Sequence, residues 1–297
     1  MSDAARPEVL HLAAFADGHG GGNMAGVVLA AADLSDAEML QTARNVGYSE
    51  TAFLTSGLDV NRSARIRYFS PGAEVPFCGH ATVATAVALA EKYGPGPFSL
   101  ITSAGEIVLD TFVSEKGMTA AFTSVEPSVT PISPTVLSRL LGLLSLNAAQ
   151  LHPEYPAALS YAGNTHPVLV VQEQANFDGF VFDAEGLRIL MDEQGWAGTV
   201  TVLWVSSTGA TEAGSQGSDA MEIVARNLFP VGEILEDPAT GSAAASTGAY
   251  LRSLGAVKTP STVIIRQGAH VGRPSILHVS IPAQGGIKVS GTATRIH

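Results

Sequence analysis

Arg67-Tyr68-Phe69-Ser70-Pro71, followed by Glu74-Val75-Pro76-Phe77-Cys78-Gly79-His80-Ala81, decides the fold because the chain writes it twice. Arg226-Asn227-Leu228-Phe229-Pro230 precedes Glu236-Asp237-Pro238-Ala239-Thr240-Gly241-Ser242-Ala243 in the same way. Both copies read R-x-x-x-P and then E-x-P-x-x-G-[HS]-A. Each runs into a stretch of Ala, Thr, Ser, Val and Gly with helical character, expected over 79–93 and 241–254. Agreement at arginine, two prolines, glutamate and glycine together points to internal duplication.

Two copies of strand, proline turn and small-residue helix imply two similar domains, each wrapping a curved sheet around a buried helix. Small side chains suit a helix that backbone approaches from every side. If the copies face each other across a pseudo-twofold axis, both helix N-termini point into one interdomain cleft. Free N–H groups and about half a positive charge at each start would hold a small anion there without lysine or arginine.

Outward from the repeat, strands are expected at 10–14 and 26–31, around the turn composition Asp17-Gly18-His19-Gly20-Gly21-Gly22-Asn23. Ser35-Asp36-Ala37-Glu38 is a capping-box pattern, and Met39, Leu40, Ala43 and Val46 follow at helical spacing until Gly47. Further strands are expected at 48–55, 65–69, 106–111 and 118–123. Prolines between Glu126 and Pro134 mark a crossing. The domains expected are therefore 1–124 and 125–286, with a strand in 287–297 returning to the first. In the second, helices are expected at 135–144 and 184–193, strands at 167–172, 198–206, 221–229, 261–267 and 276–281, and a Gly/Ser/Thr-rich loop at 207–218; a last strand at 287–290 finishes the chain.

The 297 residues carry 16 Lys+Arg against 27 Asp+Glu, a net charge of −11, which disfavours nucleic acid as a partner because no basic cluster is present. At 46% hydrophobic and 14% charged the chain can bury large cores, which argues against extended disorder. One cysteine, Cys78, excludes an internal disulfide framework or a multi-thiolate zinc site. The start, MSDAARPEVLHLAAF, lacks the pattern of a secretory signal, and no apolar window is long enough for a membrane span. A cytoplasmic protein acting on a small molecule, away from membranes, is expected.

Strand alternation puts Glu50 on one face with Tyr48, Ala52 and Leu54. Apolar surroundings disfavour the charged form of a carboxyl group, which is the condition for one that gives and takes protons; the plain alternative is an exposed strand-end glutamate. His80, beside Gly79 at the first helical turn, could hold a substrate carboxylate or relay a proton, or it could simply pack. Asp237 and Ser242 flank the second helix start, where an Asp-Pro turn and a helix-start serine are ordinary. Cys78 at a helix start invites a thiolate reading. A two-thiol racemase needs a second cysteine, however, and the repeat has Thr240 there, so Cys78 is expected to be packed and dispensable. The glycine loop lacks a phosphate-loop pattern, and the eight histidines include no H-x-x-x-H pair, so nucleotide and metal sites are not expected.

The chain resembles the PhzF family, the phenazine-biosynthesis isomerase-like proteins, which share the diaminopimelate epimerase fold. The markers are Gly22-Asn23, Ser49-Glu50-Thr51-Ala52-Phe53, Cys78-Gly79-His80-Ala81-Thr82, the segment Glu236 to Ala243, and Gln267-Gly268 with Gly272-Arg273-Pro274-Ser275. The resemblance implies an α+β fold of two pseudo-symmetric domains, each a barrel-like, mostly antiparallel sheet around a central helix. It also implies a homodimer without cofactor or metal. By that resemblance Glu50 is the general acid/base, and His80 and Asp237 join it at the reacting substrate. Asn23, Ser49 and Ser242 line the substrate site, with Gly79 and Gly241 as backbone donors. The activity implied is cofactor-independent proton transfer on a small anionic amino or hydroxy acid. The alternatives are an epimerase or racemase of the same fold and a non-catalytic small-molecule binder. The loop Gly18 to Met24 departs from the family's Gly-Asn-Pro and its larger residues.

Overall fold

The computed structural model describes residues 7–205, 221–231 and 234–296. Its contacts divide the chain into two compact units, Met1–Phe122 with Ser290–His297, and Thr123–Val289. The expected loop at 207–218 lies outside the described residues.

The first unit contains β1 (Leu10–Ala14), β2 (Asn23–Val28), α1 (Asp36–Val46), β3 (Glu50–Leu54), β4 (Ser63–Phe69), β5 (Glu74–Val75), α2 (Gly79–Tyr93), β6 (Gly96–Thr102), β7 (Gly105–Ser114) and β8 (Gly117–Thr123). The second follows with β9 (Ser128–Pro131), α3 (Pro134–Leu143), β10 (Ala158–Tyr161), β11 (Thr165–Val171), α4 (Gln174–Gly179), α5 (Ala184–Gln194), β12 (Val200–Val205), β13 (Met221–Val231), β14 (Ile234–Asp237), α6 (Gly241–Leu254), β15 (Ser261–Gln267) and β16 (Ser275–Ile281). The last strand, β17 (Lys288–Arg295), runs into the residues assigned to the first unit.

Strand pairing in the first unit forms a ring. β1 pairs antiparallel with β2, β2 parallel with β3, β3 antiparallel with β4, β4 parallel with β6, and β6, β7 and β8 follow antiparallel. β17 pairs with both β8 and β1 and closes it. The centre is α2, whose residues His80 to Ala90 are all buried. In α1, Ser35 and Glu38 form the anticipated capping box and Gly47 takes the left-handed C-cap. Met39 and Ala43 on its inner face pack with Val28, Ala31, Phe53 and Phe69.

The second unit repeats these relations. β10 and β11 are antiparallel, β11 and β12 parallel across α4 and α5, β12 and β13 antiparallel, β13 and β15 parallel across α6, and β15 and β16 antiparallel. α6 is buried from Ala243 to Leu251. Among the described residues each unit has two parallel pairs beside its antiparallel ones, because the helix between the partners brings the chain back to its starting edge.

The repeated arginine and glutamate pair with each other in both units. Arg67 meets Glu74 with a two-point fork, Nε–Oε1 2.7 Å and Nη2–Oε2 2.6 Å. Arg226 makes the same fork to Glu236, with Nε–Oε2 at 3.2 Å. Each fork ties strand β4 or β13 to the short return strand β5 or β14 that leads into the central helix.

Several elements differ from expectation. β2 begins at Asn23 rather than 26, because Ala14 and Asn23 stand opposite each other in the β1–β2 ladder and draw the end of the glycine loop into the sheet. Gly22 makes this possible: it sits at φ +79°, and a Cβ there would lie 2.7 Å from the Ala14 carbonyl oxygen. β9 occupies part of the proline-marked crossing and pairs with β10. β5, β6, β10, β14 and α4 are additional to the expected set.

Candidate active site

In the first unit Asn23, Ser49, Glu50 and His80 meet, with Cys78 as a fifth member. Asn23 is placed by the start of β2, Ser49 and Glu50 by the start of β3, and Cys78 and His80 by the N-terminus of α2. His80 Nε2 lies 3.4 Å from Glu50 Oε2 and 3.4 Å from Ser49 Oγ. Cys78 Sγ donates to Glu50 Oε2 at 3.5 Å and lies 3.4 Å from His80 Nδ1. The Asn23 amide Nδ2, 3.1 Å from His80 Nδ1, can only donate. With Nδ1 accepting, the ring carries a hydrogen on Nε2, aimed at Glu50 and Ser49. Glu50 thus does not face the apolar surroundings read from strand alternation, since two donors converge on its Oε2.

Glu50, Cys78 and His80 place ligand-type atoms within 4.8 Å of one another. Such a set suits a zinc-type ion as well as an acid–base cluster, and the thiol-to-carboxylate and amide-to-imidazole contacts favour the second. Neither Cys78 nor Thr240 caps its helix with a side chain. The first-turn N–H groups at Gly79 and Gly241 therefore remain as candidate anion donors.

In the second unit Asp237, Gly241 and Ser242 cluster at the start of α6. Thr240 Oγ1 donates to Asp237 Oδ2 at 2.5 Å. Gln267, buried at the end of β15, clamps this turn: its Nε2 donates to the Asp237 carbonyl (2.6 Å) and to Thr240 Oγ1 (2.9 Å), and its Oε1 accepts from Thr240 N. Ser242 Oγ lies 3.1 Å from Nε2 of His166, a fully buried residue of β11. Burial pushes the His166 imidazole down to about 4, and its bond to the Thr199 carbonyl offsets this only in part.

Sequence reading missed Gln267 as a site residue although its motif was visible. It also missed His166, whose only local signal is a lone histidine at the start of an apolar strand.

The phenazine biosynthesis-like (PhzC-PhzF) family model matches residues 12–297. The chain belongs to this family. It is 28% identical to the Escherichia coli K12 protein "Uncharacterized isomerase YddE", over 97% of this chain and 96% of that one. A Pseudomonas aeruginosa structure described as a predicted epimerase shares the fold at 24% identity and a TM-score of 0.81, covering 98% and 97% of the two chains. A hydroxyproline epimerase from Agrobacterium vitis matches at 13% identity and a TM-score of 0.59, over 99% and 92%. The fold is thus the α+β, epimerase-type fold of PhzF proteins. Among the described residues, no helix is long and apolar enough to cross a membrane.

Proposed function

We propose that this PhzF-family chain is a cofactor-independent isomerase, in which Glu50 moves a proton on a small substrate bearing a carboxylate. The observation that carries this reading is the convergence of Cys78 Sγ and His80 Nε2 on one oxygen, Glu50 Oε2. Two donors on Oε2 fix the carboxylate's orientation. Oε1, which neither of them touches, takes a proton from a carbon next to the substrate carboxylate and returns it to another carbon. Negative charge that develops in between spreads into the substrate carboxylate, which the open N–H groups at a helix start hold. Asp237, carrying the Thr240 hydroxyl, is assigned to substrate contact with Ser242. The isomerase names of the family relatives agree with this reaction class.

An epimerase is the second reading, favoured by the epimerase descriptions of structures that share the fold; inversion at one carbon would need a second acid–base group across that carbon from Glu50, a place that Cys78, bonded to the same carboxylate, does not take. A single cysteine agrees with a reducing, cytoplasmic setting, and a homodimer acting on a small anionic amino or hydroxy acid completes the proposal.

The test is incubation in deuterated water with a panel of small unsaturated and saturated amino and hydroxy acids, followed by mass spectrometry and NMR. Deuterium appearing at a new carbon, with the double bond moved, supports the isomerase. Label at the original stereocentre with inversion supports the epimerase. Exchange that Glu50→Gln leaves untouched overturns both.

A further inference from the structure

The side chain behind Ser242 settles which way that hydroxyl points. The Thr199 carbonyl oxygen lies 3.0 Å from His166 Nδ1, and a carbonyl can only accept, so Nδ1 carries a hydrogen. Thr199 Oγ1, at 3.1 Å on the same side, commits its own proton to Asn227 Oδ1 at 2.7 Å, and Thr201 donates to that oxygen too, also at 2.7 Å. His166, Thr199, Thr201 and Asn227 are all buried. Buried at the centre of this network, the ring stays neutral at ordinary pH, so Nε2 offers only a lone pair. Ser242 Oγ, 3.1 Å away, must donate to it.

Ser242 has a single hydrogen, and His166 holds it. The half-buried hydroxyl oxygen therefore presents only lone pairs to anything that approaches the start of α6. The first unit has the opposite polarity. There Asn23, at the start of β2 as His166 is at the start of β11, donates to the helix residue and leaves His80 with a hydrogen to give. Gly198 keeps His166 in place: a Cβ there would lie 2.6 Å from His166 Cε1 and 2.6 Å from the Thr165 carbonyl oxygen.

We infer that His166 is a positioning residue that makes Ser242 a hydrogen-bond acceptor, so that the site selects substrates carrying an ammonium or hydroxyl group beside the carboxylate. The inference rests on the reading of the α6 start as part of the substrate site. Ser242 is on this view no ligand of the carboxylate, which falls to backbone N–H groups.

Two measurements test it. Long-range ¹⁵N–¹H imidazole spectra at neutral pH should show His166 as the Nδ1-protonated neutral tautomer, and Ser242→Ala should shift its Nε2 signal while leaving Nδ1 nearly unchanged. Binding of four matched three-carbon acids should separate by about tenfold, alanine and lactate above pyruvate and propionate, as one well-made hydrogen bond allows. Ser242→Ala should level the four. His166→Leu should do the same, whereas His166→Gln, whose amide oxygen replaces the Nε2 lone pair, should restore the preference. Should His166→Leu fail to fold, the tautomer, Ser242→Ala and His166→Gln carry the test. A ring protonated on Nε2, a preference for pyruvate, equal affinities or no binding by any of the four overturns the inference. These readouts need no turnover, so a chain that catalyses nothing ends the isomerase reading without obscuring them.

Discussion

Arg226 and Glu236 form a two-point ion pair with both side chains about nine-tenths buried, whereas the matching pair of the first repeat, Arg67 and Glu74, is roughly a third exposed. Arg226 also donates to the carbonyls of Phe177 and Phe180, and its guanidinium lies 3.8 Å over the Phe180 ring. Removing one partner of a buried pair leaves an uncompensated charge and costs about 3–5 kcal/mol, against about 1 kcal/mol or less for an exposed pair. Arg226→Met should lower the Tm by roughly 6–20 °C and Arg67→Ala by no more than about 4 °C. Equal losses in thermal denaturation would refute the assignment of the cost to burial.

Glu50→Gln keeps the shape of the side chain and its contact at Oε2 while removing the titrating group. General acid–base catalysis contributes typically ~10²–10⁴-fold, so kcat should fall by that range while the affinity of a substrate analogue changes little. Wild-type turnover by this variant would end the assignment.

Cys78→Ala removes one of the two donors to Glu50 but leaves the other, His80 Nε2, at 3.4 Å. The expected loss in kcat is within about tenfold, because a thiol is a weak donor and an ordinary hydrogen bond is worth about 0.5–1.5 kcal/mol net. A loss of several orders of magnitude, with the fold intact by circular dichroism, would give the thiol a proton-transfer role.

His166 ties stability to acidity. In the unfolded chain a histidine takes up its proton near 6.5, whereas burial delays this to about 4 in the folded protein. Above 6.5 neither state binds the proton and the residue adds no pH dependence. As the pH falls from 6.5 to 4 only the unfolded chain gains it, so folding stability should drop by up to about 3 kcal/mol and then level off. Urea denaturation across this range should show that slope, and His166→Gln should remove it.

The two central helices were readable to the residue, because each starts after a proline-containing turn and a glycine at its first position, and each stops at glycine. The pairing of Arg67 with Glu74 was not readable, although both residues mark the repeat, since a periodicity says nothing about which side chains touch. β9 was hidden because Pro127 and Pro131 read as a linker, and only its ladder with β10 makes it a strand. The shift of β2 to Asn23 matters most for the site. Local composition assigns Asn23 to a turn, whereas its place opposite Ala14 puts its amide against His80. His166 carried no local signal beyond a lone histidine at a strand start, because its role comes from Thr199 and Ser242, which lie far along the chain.

β17 has a consequence for biosynthesis. Until residues 290–295 emerge from the ribosome, β1 and β8 are unpaired edges of a sheet that lacks its closing strand, and exposed edges are templates for wrong partners. The later-made unit is contiguous from Thr123 to Val289 and can condense first, so the earliest-translated part of the polypeptide is the last whose sheet can close.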